Sequence, residues 1–181
     1  MKISVIGAGA MGGAIVEGLL KSDQFRNEDI CVADPSLRTL ERFSTSGASI
    51  TADNHVAAEQ ADVVCVVVKP WLVERVLTDL KDVLNYKQQR LIVVAAGITG
   101  EQLKQWMKRD GEPLLPMFLV IPNIAVAQLS SMTFIVPVVA QADDTTQVQH
   151  LFNALGKSIV TEERLLGAGT TLASCGIAYA M

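Results

Sequence analysis

Near the start of the chain stands Gly7-Ala8-Gly9-Ala10-Met11-Gly12, a G-x-G-x-x-G. It follows the apolar run Lys2 to Ile6 and leads into Ala10 to Lys21, a stretch of helical composition. Those residue types at that spacing suit the cradling of a pyrophosphate. Gly7 permits the tight turn, a bare Gly9 lets backbone N–H groups approach phosphate oxygens, and Gly12 lets the helix lie close to the strand. The first helical turn, Ala10 and Met11 included, offers its unpaired N–H groups and the positive end of its dipole to the anion. Without a strand before it and a helix after it the glycine run would be an ordinary turn; in that setting it points to a dinucleotide.

A second chemical position lies 22 residues beyond Gly12, where Asp34 ends another apolar run. A carboxylate there accepts the adenosine ribose hydroxyls of NAD and repels a 2′-phosphate. Ser36 and Arg38 follow at once, and either can hold a 2′-phosphate if Asp34 turns away. Asp34-Pro35-Ser36 can also simply cap the next helix. NAD and NADP both stay open from these residues.

Other chemistries find less support. Cys31, Cys65 and Cys175 are widely spaced, and with only His55 and His150 beside them they make no zinc-ligand pattern. Buried, reduced thiols are the expectation. Neither histidine has a carboxylate or nucleophile at a readable spacing, so neither receives a role. A formal charge of −4 argues against a nucleic-acid or anionic-membrane partner, since both need a basic face. The apolar start is broken by glycines before a secretory signal is complete, and no apolar stretch approaches the length of a membrane span. A cytoplasmic protein is expected.

These positions need elements to hold them. With 181 residues, 50% of them hydrophobic and 19% charged, the chain is long and apolar enough for one domain, or one domain plus a piece of a second. Strand-like runs at Lys2 to Ile6, Ile30 to Ala33, Ala61 to Val68, Leu91 to Ala95, Met117 to Ile121 and Met132 to Val136 are rich in β-branched residues. Most are separated by helix-like stretches, with Leu37, Leu40 and Phe43 on a short one. Val73, Val76, Leu77, Leu80 and Leu84 mark a longer one, Leu103, Trp106 and Met107 another, and Val148, Leu151, Phe152 and Leu155 the last. That alternation predicts an α/β, doubly wound, mainly parallel Rossmann-type sheet, with strands buried on both faces.

Ile6-Gly7-Ala8-Gly9-Ala10-Met11-Gly12, Asp53-Asn54, Val67-Val68-Lys69-Pro70, Ala95-Ala96-Gly97-Ile98 and Pro122-Asn123 together resemble the pyrroline-5-carboxylate reductase family over essentially the whole chain. The resemblance implies an NAD(P)-dependent oxidoreductase that passes a hydride to the C=N carbon of a cyclic imine, giving proline, with NADP slightly favoured. It implies that the loop Gly9 to Gly12 holds the pyrophosphate and that Asn54 contacts the adenosine ribose. It places Val68-Lys69-Pro70 and the Ala96-Gly97 turn on the nicotinamide side, and Asn123 beside nicotinamide and substrate. By position Thr170 is the candidate donor to the imine nitrogen. Read from the residues alone, Lys69 is equally a solvated lysine at a strand end. Asn54 and Asn123 are equally helix caps, and Thr170 is equally a polar residue in a packed helix.

The chain departs from the family where the substrate sits. Leu119 and Ile124 replace an arginine and a threonine of the family pattern, and Ser174, Cys175 and Ile177 alter its Gly-Ser-Gly-Pro run. Two other readings therefore stand beside the first: a reductase of a different imine or carbonyl, and a non-catalytic NAD(P)-sensing module. The expected division is a dinucleotide-binding domain over 1–161 and, over 162–181, the first helix of a helical dimerisation domain that the family continues past this point. No charged residue follows Arg164, and such a helix is apolar nearly all round. A homodimer through it is expected, and the 181-residue chain alone is expected to be inactive.

Overall fold

The computed structural model describes residues 1–171. Its strands are β1 Ile3–Ile6, β2 Ile30–Ala33, β3 Ser49–Thr51, β4 Val63–Val66, β5 Arg90–Val93, β6 Met117–Ile121, β7 Ser131–Val139 and β8 Gly156–Val160. The helices are α1 Ala10–Lys21, α2 Leu37–Glu41, α3 Asn54–Glu59, α4 Pro70–Leu80, α5 Gly100–Met107, α6 Ala142–Asn153 and α7 Glu163–Thr170. One eight-stranded sheet runs in the order β3-β2-β1-β4-β5-β6-β7-β8. Every neighbouring pair is parallel except β6 and β7. The doubly wound, mainly parallel sheet expected from the alternation is the one found.

Both faces of the sheet are covered, which is why its central strands read as unbroken apolar runs. In β4, Val63 and Cys65 enter one core and Val64 and Val66 the other. The first core is closed by α1, α2 and α6 through residues such as Ile15, Leu40 and Phe152. The second is closed by α3, α4 and α5 through Ala57, Leu77 and Leu103, with Leu166 of α7 packed against it. At roughly 1.5–3 kcal/mol for each large side chain fully buried, these two layers supply the main stabilisation of the domain.

The winding reverses between β1 and β4. From β1 the chain moves outward to β2 and β3, then returns to place β4 on the other side of β1. The ends of β1 and β4 therefore diverge into a crevice, and that is where an open α/β sheet takes a ligand. Val67 N–H bonds the Ile6 carbonyl at 2.8 Å and Gly7 N–H bonds the Ala33 carbonyl at 2.8 Å, so all three strand ends are tied together at that rim.

Some elements differ from expectation. β3, α3 and β8 have no counterpart in the apolar pattern, and β4 is shorter than the run Ala61 to Val68. β7 continues past Val136 through Pro137, which faces Phe118 where the register shifts, one of the few places a strand accepts proline. The tail positions Ser174, Cys175 and Ile177 lie outside the described residues. Among the described residues no helix is long and apolar enough to cross a membrane, and no cluster of potential metal ligands is found.

Candidate dinucleotide cleft

Two of the three motif glycines are required by the fold itself. Gly7 has φ +95°, and a Cβ there would strike the Val67 carbonyl oxygen and lie 2.8 Å from Val68 Cγ1. A Cβ on Gly12 would overlap the Gly7 carbonyl oxygen. Gly9 is different: a Cβ built on it meets nothing within 4 Å. The protein does not need a glycine there to fold, and the space in front of it belongs to the cleft.

Gly9 is also the N-cap of α1, and no side chain caps that helix. Ser36 caps α2, Asp53 caps α3 and Thr99 caps α5. The first intrahelical bond of α1 runs from Gly13 N–H to the Gly9 carbonyl at 2.8 Å. The N–H groups of Gly9, Ala10, Met11 and Gly12 are thus those that a helix leaves without internal partners. They stand at a cleft of about 420 Å³, lined by these residues together with Gly7, Asp34, Asn54, Val68 and Lys69. An uncapped helix start beside an open glycine is an anion cradle, and these residues fit the pyrophosphate of a dinucleotide.

Asp34 holds the other side of the loop. One carboxylate oxygen accepts Ala8 N–H at 2.8 Å and the other accepts Ser36 N–H at 2.9 Å. The alternative in which Asp34-Pro35-Ser36 caps the next helix is realised in part: the Ser36 hydroxyl accepts Thr39 N–H at 3.3 Å. Yet Asp34 also lines the cleft and remains turned toward the glycine turn. Arg38 is exposed on α2 and has no ion pair among the described residues.

Asn54 is not the cap of the short helix. That task falls to Asp53, whose carboxylate accepts His55 N–H at 2.8 Å. Asn54 instead lines both the cleft and an adjoining pocket of about 680 Å³. His55, which has no carboxylate at a readable spacing, has one in space: its Nε2 lies 3.0 Å from Asp79. The pair is 24 residues apart in sequence and is made by the packing of α3 beside α4, which no spacing rule foretells.

On the opposite wall Lys69 is extended (φ −60°, ψ 144°), as a residue before proline must be, and Pro70 opens α4. Val67, Leu72, Val76 and Val94 complete an apolar wall, and none of these four is among the residues expected to bind the cofactor. Ala96 and the positive-φ Gly97 are exposed at the end of β5. Asn123 is 5% exposed. Its side-chain oxygen accepts Ala125 N–H and its own N–H donates to Ser131 Oγ, so the capping expectation is met. Ser36, Arg38, Pro70, Ala96, Gly97, Asn123 and Thr170 do not line the 420 Å³ cleft.

Thr170 lies on α7 and donates its hydroxyl proton to the Leu166 carbonyl at 2.8 Å, a common back-bond for threonine within a helix. α7 itself is docked at its start, where Glu163 Oε1 accepts Gly100 N–H at 3.1 Å. Both described thiols are free, but only Cys65 is buried as expected, Cys31 being half-buried; burial raises both thiols, that of Cys65 from 9.0 to about 12.

Residues 2–97 match the family model described as NADP oxidoreductase coenzyme F420-dependent. A pyrroline-5-carboxylate reductase of Arabidopsis thaliana is 32% identical over 98% of this chain and 63% of its own length. The structure of a pyrroline-5-carboxylate reductase from Coxiella burnetii superimposes with a TM-score of 0.88 at 27% identity, over 99% of this chain and 66% of that one. The Plasmodium falciparum pyrroline carboxylate reductase, a structure with NADP bound, shares the fold at a TM-score of 0.87 and 20% identity, over 64% of its length. The chain thus spans about two thirds of the length of these relatives. Its glycine turn, its switch-point cleft and the match over residues 2–97 make it a member of the NADP oxidoreductase coenzyme F420-dependent family, with pyrroline-5-carboxylate reductases among its relatives.

Proposed function

We propose that this chain is the nucleotide-binding part of an NAD(P)-dependent oxidoreductase that reduces the C=N bond of 1-pyrroline-5-carboxylate to give L-proline. The observation that carries the reading is the open Gly9 position beside the uncapped start of α1, at the crevice between β1 and β4. When bound, a reduced nicotinamide dinucleotide supplies the hydride. The N–H groups of Gly9 to Gly12 hold the pyrophosphate, and Asn54 faces the adenosine ribose. Arg38 and Ser36 take a 2′-phosphate, which favours NADP and matches the relative solved with NADP. Val68-Lys69-Pro70 and Ala96-Gly97 form the nicotinamide wall, with Asn123 beside it, so that orientation rather than a shifted pKa does the work.

In this reading Thr170 donates to the ring nitrogen after its hydroxyl leaves the Leu166 carbonyl. Residues 1–161 form the dinucleotide domain, and 162–181 begin a helical unit through which two copies pair. Leu165, exposed at 44% on α7, is an apolar residue that such a pairing covers. Cytoplasmic residence accompanies the reading. Titration of NADPH by fluorescence, with a proline-formation assay on the chain alone and on its whole gene product, tests it. Nucleotide binding with turnover only in the whole product is the expected result; no binding in either sinks the proposal.

A reductase of another imine or carbonyl is favoured by one observation. Leu119 is 1% exposed inside the sheet, so that departure from the family pattern is a core change, whereas Ile124 is 59% exposed at the strand rim. An apolar Ile124 beside the substrate position suits a less polar substrate. Turnover of other cyclic imines without turnover of pyrroline-5-carboxylate selects this second reading, and tight NADPH binding with no turnover of any of them by the whole product selects a sensor.

A further inference from the structure

Arg42 closes α2 and reaches back to the glycine turn. Its Nη2 donates to the Ala8 carbonyl at 2.7 Å and to the Gly9 carbonyl at 3.3 Å. Beneath the guanidinium lies the ring of Phe43, 4.5 Å from ring centre to Cζ and itself buried. On the far side Glu17 of α1 approaches Nη1 at 4.0 Å. A Cβ on Gly13 would overlap Nη2, so the second glycine of the Gly12-Gly13 pair is what gives the guanidinium room.

The consequence follows from peptide geometry. In a trans peptide the carbonyl and the next N–H lie in one plane and point in opposite directions within it. Holding the Ala8 carbonyl turns Gly9 N–H the other way, and holding the Gly9 carbonyl does the same for Ala10 N–H. Gly9 and Ala10 both line the cleft. The Ala8 residue is gripped at each end, its N–H by Asp34 at 2.8 Å and its carbonyl by Arg42. A charged donor strengthens those bonds and leaves a positive charge behind the turn.

We propose that Arg42 is a positioning residue for dinucleotide binding: from behind the turn it fixes the peptides whose N–H groups meet the pyrophosphate, and Gly13 exists to admit it. The proposal rests on the dinucleotide reading of the cleft. It differs from a phosphate contact because it predicts equal effects on NADPH and NADH, which share the pyrophosphate and differ in the 2′-phosphate.

The test titrates NADPH and NADH into the 181-residue chain and into Arg42→Met, Arg42→Lys and Gly13→Ala, with thermal melts alongside. Arg42→Met should weaken both nucleotides about tenfold, the net worth of one charge-assisted hydrogen bond. Arg42→Lys should recover part of that loss, which a general loss of packing would not allow. Gly13→Ala should weaken binding as Arg42→Met does, and the double variant should lose no more than either. The proposal is overturned if Arg42→Met binds both nucleotides like the parent, or if only NADPH is weakened, which would make Arg42 a 2′-phosphate ligand. If Arg42→Met fails to fold, Gly13→Ala with unchanged binding overturns it equally. A parent chain that binds neither nucleotide defeats the dinucleotide reading first, a result distinct from any of these.

Discussion

The turn after β1 and the turn after β6 stand on the same rim of the sheet and are specified in different ways. The first is written in backbone: Gly7 and Gly12 have no room for a Cβ, and Ala8 is held by side chains at both of its polar atoms. The second is written in side chains. Asn123 caps the 3₁₀ turn Ile124–Gln128, and the residue at the open rim, Ile124, is apolar and 59% exposed. A site made of backbone resists change because most substitutions break the fold. A site made of exposed side chains changes while the fold stays as it was. By that contrast a substitution at Ile124 should leave the fold as it is, whereas one at Gly7 or Gly12 should not.

The sharpest way to break the comparison is at Gly12. Gly12→Val pushes a branched side chain into the Gly7 carbonyl, and should destabilise the domain by about 3 kcal/mol or more in a denaturant melt. Gly9→Val should do the reverse. Stability should stay within about 1 kcal/mol while NADPH affinity falls roughly a hundredfold, because its side chain enters only the cleft. Equal effects at the two glycines would erase the distinction between a residue the fold requires and one the ligand requires.

Arg38→Gln comes next. It should cost about tenfold in NADPH affinity and leave NADH unchanged, as removal of one phosphate partner predicts. A parent that prefers NADH would instead assign Asp34 to the ribose hydroxyls. The smallest effect belongs to the contact between the starts of α5 and α7. Glu163→Gln keeps an acceptor for Gly100 N–H but removes the charge at the start of α5, and should cost about 0.5 kcal/mol with no change in nucleotide affinity. A loss of affinity would show that the start of α5 helps to shape the nucleotide cleft.

How much of this was legible in the sequence depends on what each residue is read against. The glycine turn, β1, β2, β4, β5, β6 and the longer helices announce themselves because an apolar run buried on both faces carries its own signal. β3 does not, since Ser49–Thr51 is short and mostly exposed at the sheet edge. β8 escapes for a related reason: Gly156–Val160 pairs on one side only and needs no alternating pattern. α3 is only six residues long, too brief for a helical period to show. Asn54 was found by the matched motif, whereas Arg42 and the His55–Asp79 pair come from helices packed together in space. The one sequence signal that bears on Arg42 is the second glycine at position 13, which has no place in a G-x-G-x-x-G and gives the guanidinium room.

Cys65 sits at the midpoint of β4, paired with Val5 on one side and Ile92 on the other, with no exposed surface. Burial keeps its thiol protonated up to about 12, while an unfolded chain ionises it near 9.0. The native state therefore binds more protons between those values, and stability falls as pH rises through that window. Below it the same thiol is a timer. An alkylating reagent reaches Cys65 only when the centre of the sheet parts, so its labelling rate in native buffer counts openings of the core one molecule at a time. A dinucleotide bound between β1 and β4 bridges the two strands that must separate, and should slow that clock in proportion to its occupancy.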